Sequence, residues 1–168
     1  MIVHGKERDY IIHDENNVKG FFFEFRFLSN FEVTDVYFEG DVYGSTEAAY
    51  MAGKVLDPEI RKQFQKSSGI SPSEARKLGQ TVILRLDWEN VKYDTMASVV
   101  FDKFYRNKDL RKLLLDTADK YLSEDNHWGD RYWGFCEGSG KNNLGKILMS
   151  VREFWKTDKI NYKRNKLF

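Results

Sequence analysis

The spacing of apolar and polar positions divides the chain into an extended first quarter and a helical remainder. Tyr10 to His13 is a short β-branched run. Phe21 to Leu28 alternates in part, with Glu24 and Arg26 between aromatic residues, and Val36 to Val42 alternates around Gly40. All three are expected strands, and Asp14 to Asn17 supplies turn residues between the first two. After Gly44 the texture becomes helical. Ser45 or Thr46 is expected to cap a helix running to about Leu56, stopped by Asp57-Pro58. Pro58 to Gln65 reads as a second, short helix. Ser71-Pro72-Ser73-Glu74 combines a cap, a proline at the first helical position and a capping box, and that helix stops near Gly79. Thr81 to Leu84 reads as a short extended piece. Asp87 is then expected to cap a long helix with the stripe Trp88, Val91, Met96, Val99, Val100 and Phe104. Helical texture continues through Leu110 to Leu115, to about Ala118. The last helix starts near Asn143 and carries Leu144, Ile147, Leu148, Val151 and Trp155 on one stripe. Strands come first and helices follow. That segregation predicts an α+β fold, mainly α-helical, with a small N-terminal β part, and argues against a doubly wound sheet.

A length of 168 residues without repeats, low-complexity tracts or a Pro/Gly-rich linker fits one domain. Aromatic residues reach 15%, so the cluster Phe21, Phe22, Phe23, Phe25 and Phe27 demands burial or a stacking partner. The formal charge of +1 gives no global pull toward nucleic acid or membrane. Locally, the tail from Lys156 to Phe168 has Lys156, Lys159, Lys163, Arg164 and Lys166 against Asp158; it reads as a solvated end or a weak phosphate-binding patch. Cys136 is the single cysteine, which rules out an internal disulfide and suits a reducing compartment. Met1 to Tyr10 lacks the apolar core of a signal peptide. No window approaches the roughly 20 apolar residues of a membrane helix. A cytoplasmic setting is expected, which for a viral protein would be the host cytoplasm.

Two patterns resemble known sites and fail on inspection. The stretch from Gly138 to Gly145 looks like a phosphate loop, but Phe135 stands where the first Walker glycine belongs and Asn142 follows the lysine in place of Ser or Thr. The dinucleotide fingerprint fails at Asn143, its third glycine position. A glycine-rich turn entering a helix can still hold an anion through free amides, or be a plain cap and turn. His4, His13 and His127 have no metal-like spacing, so no metal site is expected. A Cys136 nucleophile has nothing in sequence to support it.

Three sets of residues are candidates for chemistry. Glu47, Tyr50 and Lys54 stand at i, i+3 and i+7 of one expected helix and share a face, with Ala48, Ala52 and Val55 opposite. The face lines a pocket or belongs to an exposed amphipathic helix. Glu124 to Gly134 holds two tryptophans and two glycines among charged residues, a poor helix and a poor strand, and such a loop points to binding. Trp128 and Trp133 suit stacking on a ring; Glu124 and Asp130 suit a charged transition state. Arg152 continues the buried row of Leu144 and Leu148, so its charge needs a core carboxylate or a substrate phosphate.

Four stretches together resemble the YbiA-like family, also called NADAR. They are Leu28-Ser29-Asn30-Phe31, Tyr43 through Glu47 and Tyr50 to Lys54, Glu124 through Asp130 to Trp133-Gly134, and Gly140-Lys-Asn142-Asn-Leu144-Gly145 through Leu148-Met149 to Arg152. The resemblance covers about residues 21–155. It implies a mainly helical fold and N-glycosidase chemistry at ribose C1′. Family members hydrolyse early phosphoribosylated intermediates of riboflavin synthesis or remove ADP-ribose from guanine bases in nucleic acid. The substrate expected here is therefore a nucleotide-like small molecule or an ADP-ribosylated nucleic acid, with no cofactor, no metal and no membrane partner. Glu47 is the first candidate for the carboxylate that stabilises an oxocarbenium-like carbon or activates water, and Asp130 the second. Lys54 would be a Schiff-base amine or a phosphate or hydroxyl ligand. Trp133 would shape the base site. Arg26 and Asn30 would contact ribose or phosphate, and Asn142 would fix the loop or an anion. Tyr50, Trp88, Glu124 and Arg152 complete the expected substrate-binding set. The chain departs from the family at Ala48, where members usually have His, and at Met51, where they often have Gln. The first departure keeps a non-catalytic ADP-ribose-binding module as an alternative, and the Phe-rich segment keeps an interaction protein as a third.

Overall fold

The computed structural model describes the backbone of residues 12–165 and the side chains of 13–157. Two compact units emerge: Ser29–Leu110, and the described residues up to Leu28 together with those from Arg111 onward. Helices dominate both units, and the strands are short, so the α+β, mainly helical class is as expected.

In the first unit, β3 (Val33–Phe38) and β4 (Asp41–Ser45) pair antiparallel. The run from Val36 to Val42, expected as one strand, is the two arms of this hairpin. Glu39 at φ 46° and Gly40 at φ 96° make the reversal, a geometry that glycine adopts without a Cβ penalty. β4 runs straight into α1 (Thr46–Ala52), and Ser45 Oγ accepts the amide of Ala48 at 3.1 Å. All seven α1 residues are buried, so the exposed amphipathic reading of this helix does not hold. Asp57 caps α2 (Pro58–Lys62) through the Glu59 amide at 2.8 Å. Ser71 and Glu74 form the expected capping box on α3 (Pro72–Gly79).

Thr81 to Leu84 forms no strand. Among the described residues it has no ladder partner, and it runs as a loop with Ile83 and Leu84 exposed. Asp87 precedes α4 (Trp88–Arg106) but gives no side-chain cap, because Arg85 holds its carboxylate at 2.6 and 2.9 Å. The α4 stripe is buried at Trp88, Met96, Val99, Val100 and Phe104, as its spacing predicts, while Val91 is only half-buried. Helical texture then breaks at Asn107, and α5 (Lys108–Asp116) is a separate helix.

In the other unit, β1 (Ile12–His13) pairs antiparallel with β2 (Asn17–Lys19), and β2 pairs parallel with β5 (Tyr121–Ser123). Asp14 turns the chain between β1 and β2 by accepting the amides of Asn16 and Asn17, both at 2.7 Å. Phe21 to Leu28, expected as a strand, holds a 3₁₀ helix from Phe23 to Leu28, entered through Phe23 at φ 48°. Among the described residues no strand lies alongside to take up a ladder. The tighter winding instead buries Phe27 and Leu28 and sets the Phe25 ring 4.3 Å from that of His13, leaving Phe23, Glu24 and Arg26 exposed.

The long α6 (Asn143–Asn165) lays Leu144, Ile147, Leu148, Val151 and Trp155 into the core, against β5. Of the basic tail, Lys156 pairs with Asp119 at 2.6 Å and Glu153 at 2.8 Å; the side chains of Lys159, Lys163, Arg164 and Lys166 lie outside the described residues. Among the described residues no helix is long and apolar enough to cross a membrane.

Candidate active site

The Ser29–Leu110 unit brings together Asn30, Glu47, Tyr50, Lys54 and Trp88. Glu47 sits in the first turn of α1, where the helix dipole favours a carboxylate, and is 7% exposed. Its amide donates to the carbonyl of Asn30 at 3.0 Å, tying the Ser-Asn-Phe turn to the helix start. Asn30 is buried and turns its side-chain amide toward Met96 Sδ at 3.4 Å.

Lys54 does not share the α1 face with Glu47 and Tyr50, because the helix ends at Ala52. Gly53 takes the close approach at this end: a Cβ there would stand 2.7 Å from Thr95 Cγ2. The chain then turns, and Lys54 Nζ donates to the carbonyl of Gly79, the last residue of α3, at 3.0 Å. Lys54 and Glu47 nonetheless interact. Burial pushes the Lys54 ammonium below the ordinary lysine range, the Glu47 charge opposes that shift, and the Arg76 charge reinforces it. A half-buried amine on a rigid backbone contact beside a buried carboxylate can hold an anion, trade a proton or attack an electrophilic carbon.

The packing that places Lys54 is tight. A Cβ on Gly79 would meet Met51 Sδ at 2.3 Å, Cγ at 2.8 Å and Cβ at 2.9 Å. Gly79→Ala is therefore expected to force α1 and α3 apart and destabilise the protein by about 1–3 kcal/mol; urea unfolding measures it. Met51, where the family often has Gln, serves as the packing partner of that glycine. Tyr50 and Trp88, each 5% exposed, pack ring to ring at 5.1 Å and 50°. Their contact is a core contact, so any role toward a substrate is confined to the small exposed edges.

In the other unit the loop 124–142 is built around hydrogen bonds. Asn126, fully buried, donates to the carbonyls of Asp130 and Phe135 at 2.8 and 3.0 Å and accepts the Asp130 amide at 3.1 Å. Asp130 Oδ1 accepts the amides of Tyr132 at 3.0 Å and Trp133 at 2.8 Å. One Asp130 oxygen thus shapes the turn that presents Trp133, whose ring meets Tyr132 edge-on at 4.8 Å. Trp128 is 43% exposed beside His127. Glu124 is half-buried, and its backbone is held on both sides, by the Asn142 side chain and by the Phe135 amide. Arg26, on the 3₁₀ helix, is exposed.

Asn142 is the pin of this loop. Fully buried and at φ 49°, it accepts the Glu124 amide at 3.1 Å and donates to Leu122 O at 2.9 Å and Tyr121 Oη at 3.0 Å. Of its two expected uses, fixing the loop is the one with partners. The glycine-rich turn has fewer free amides for an anion than its sequence suggests. The amides of Asn142, Asn143 and Leu144 all donate to protein carbonyls, those of Gly134, Tyr132 and Trp133. The glycines serve close packing: a Cβ on Gly134, Gly140 or Gly145 would stand 2.2 Å from the carbonyl oxygen of Glu124, Gly134 or Leu122 respectively.

Arg152 is buried as its position predicts, but its partners are neutral. It donates to Thr117 Oγ1 at 2.8 Å and to the carbonyl of Lys120 at 2.9 Å, and burial pushes its pKa down. It tethers α6 to the segment entering β5; among the described residues no carboxylate forms an ion pair with it, and its Nε is buried without a hydrogen-bond partner. Two further cations went unnoticed in the sequence. Lys103 is 1% exposed and donates to Ser29 O at 2.8 Å, supporting the turn that leads to Asn30. Arg76 approaches Lys54 from α3, and nothing in its sequence surroundings singles it out. Among the described residues no group of His, Cys, Asp and Glu is placed to hold a metal ion.

A short hairpin feeding a buried helix with a Glu at its head, and a glycine-packed loop pinned by Asn142 to a long last helix, is the arrangement of a NADAR domain. Residues 11–156 match the model of that family, and the chain belongs to it. It is 37% identical over 129 residues to N-glycosidase YbiA of Escherichia coli strain K12, covering 75% of this chain and 79% of that one. It is 32% identical over 128 residues to a protein of Vibrio vulnificus named a riboflavin biosynthesis protein, covering 76% of this chain and 35% of the other. The NMR structure of E. coli YbiA superposes with a TM-score of 0.75 at 31% identity, over 92% of this chain and 93% of that one.

Proposed function

We propose that this protein hydrolyses the N-glycosidic bond between ribose C1′ and a base, in a phosphoribosylated pyrimidine of the riboflavin route or an ADP-ribosylated guanine of nucleic acid. The broader class, a hydrolase acting on N-glycosyl bonds, follows from its family and the names of its relatives. The observation that carries the reading is a buried Glu47 and a half-buried Lys54 in one unit, with the Glu47 charge acting on the Lys54 amine.

The chemistry needs both groups. As the C1′–N bond breaks, positive charge develops at C1′, and a buried carboxylate stabilises it more than an exposed one would. Glu47 takes that part, with Asp130 as the alternative. If Lys54 attacks C1′, its neutral amine forms the new C–N bond while the base leaves with the bonding pair and a proton. The ribose ring then opens as O4′ accepts a proton, giving a Schiff base that water hydrolyses. Burial prepares this step by raising the neutral fraction of the amine. The rate should therefore rise with pH through the Lys54 pKa, at a pH below the ordinary lysine range. Borohydride added during turnover should trap a covalent adduct on Lys54. A pH-rate profile flat through that range and no adduct would assign hydrolysis to water activated by Glu47, with Lys54 as an anion ligand.

The primary test is mass-spectrometric product analysis with guanine-ADP-ribosylated DNA and a phosphoribosylamino-pyrimidine. Release of ADP-ribose or ribose phosphate identifies the substrate. A second reading, an ADP-ribose-binding module without turnover, is favoured by one observation: position 48 holds a fully buried Ala with no proton to give. Tight ADP-ribose binding without product from either substrate would select it.

A further inference from the structure

We propose that Arg76 binds the phosphate carried on the 5′ oxygen of the substrate ribose, on the face of α3 beside Lys54. This rests on the glycosidase reading for the identity of the ligand and on the geometry of the Ser29–Leu110 unit for the site. That unit has four arginines. Arg61 pairs with Glu39, Arg85 with Asp87 and Arg106 with Asp102. Among the described residues Arg76 has no carboxylate within ion-pair distance. The acid closest in sequence, Glu74, is committed to the capping box, where it accepts from the Ser71 amide at 2.9 Å and the Ser71 hydroxyl at 2.5 Å.

Arg76 is held in place without a counter-ion. It is half-buried, and its Cζ lies 6.0 Å from the centroid of Phe31, the aromatic residue of the Ser-Asn-Phe turn. It stands one helical turn before Gly79, whose carbonyl accepts Lys54 Nζ at 3.0 Å. The charged groups acting on Lys54 are therefore one carboxylate, Glu47, and a second cation, Arg76. Two half-buried cations against one carboxylate leave an excess positive charge. Keeping two such cations together out of water is costly unless an anion joins them. Both proposed substrates bring one: the ribose whose C1′ reacts bears a phosphate on its own 5′ oxygen. A guanidinium fork suits phosphate oxygens, and its ring contact with Phe31 limits the entropy lost on binding.

The test uses the full-length wild type, Arg76→Gln and Arg76→Lys, with a ribosyl substrate bearing or lacking the 5′ phosphate. Arg76→Gln should raise KM for the phosphorylated substrate by about ten- to hundredfold. Measured at a pH above the Lys54 pKa, where losing the Arg76 charge no longer changes the neutral fraction of that amine, it should lower kcat/KM for the unphosphorylated one far less, and Arg76→Lys should recover part of the loss. Equal losses on both substrates overturn the proposal. Calorimetric titration with ribose 5-phosphate and with ribose separates this outcome from failure of the glycosidase reading. If wild type turns over neither substrate but prefers ribose 5-phosphate, and Arg76→Gln abolishes that preference, the site stands and the reaction falls. Equal binding of the two sugars by wild type, or binding of neither, removes the site whether or not the enzyme turns over.

Discussion

Glu47→Gln is expected to lower kcat by about 10²–10⁴-fold, the range set by removal of a positioned carboxylate from proton transfer or charge stabilisation. The fold should survive. Glutamine is isosteric, the backbone amide of residue 47 still reaches Asn30 O, and Ser45 still caps α1. Steady-state kinetics on whichever ribosyl substrate the wild type accepts gives the rate, and thermal unfolding checks that Tm stays close to wild type. Loss of Glu47 also removes the charge that holds the Lys54 pKa up against burial and Arg76. The residual activity should therefore reach its plateau at lower pH than the wild type's. Unchanged kcat in Glu47→Gln would move the carboxylate role to Asp130.

Asn142→Ala should be strongly damaging to the unit that holds the 124–142 loop. It strips partners from the Glu124 amide, the Leu122 carbonyl and the Tyr121 hydroxyl. Tyr121 is partly exposed and can return to water. The two backbone groups sit around a fully buried position and cannot do so cheaply. Alanine also tolerates φ 49° less well than asparagine, whose local hydrogen bonding eases the left-handed region. The expected loss is about 3 kcal/mol, or roughly 6–12 °C in Tm, measured by denaturant and thermal unfolding. A loss below about 1 kcal/mol would mean that ordered water replaces the amide.

How far the sequence foretold these features depended on how local their causes were. The capping box at Ser71 and Glu74, the Asp57-Pro58 break and the apolar rows of α4 and α6 depend on neighbours a few residues away, and each was legible. Phe21 to Leu28 misled because alternating aromatics satisfy a strand pattern, whereas a strand also requires a partner, and none of the described strands supplies one. Lys54 misled because the end of α1 is set by Thr95, Phe38 and Met51 packing around Gly53 and Gly79, contacts between residues far apart in sequence. At the candidate site, helical spacing and the family resemblance both single out Glu47 and Lys54, and the electrostatic interaction between them persists without the shared helical face. Arg152 is legible as buried, but its neutral partners, the Thr117 hydroxyl and the Lys120 carbonyl, lie over thirty positions away and leave no periodic trace. Arg76 is distinguished by having no carboxylate within ion-pair distance among the described residues, and a contact not made leaves no trace in one dimension.

The hydrogen bonds from Asn142, Asn143 and Leu144 to the carbonyls of residues 132–134 have a dynamic consequence. The turn that carries Asp130 and Trp133 is stitched along its length to the head of α6. Swinging it outward would unsatisfy three donors at once, besides freeing the Asn126 clasp. This segment is therefore unsuited to act as a lid that opens and closes on each turnover. It behaves as a fixed wall, and whatever selectivity Trp133 confers is present before the substrate arrives.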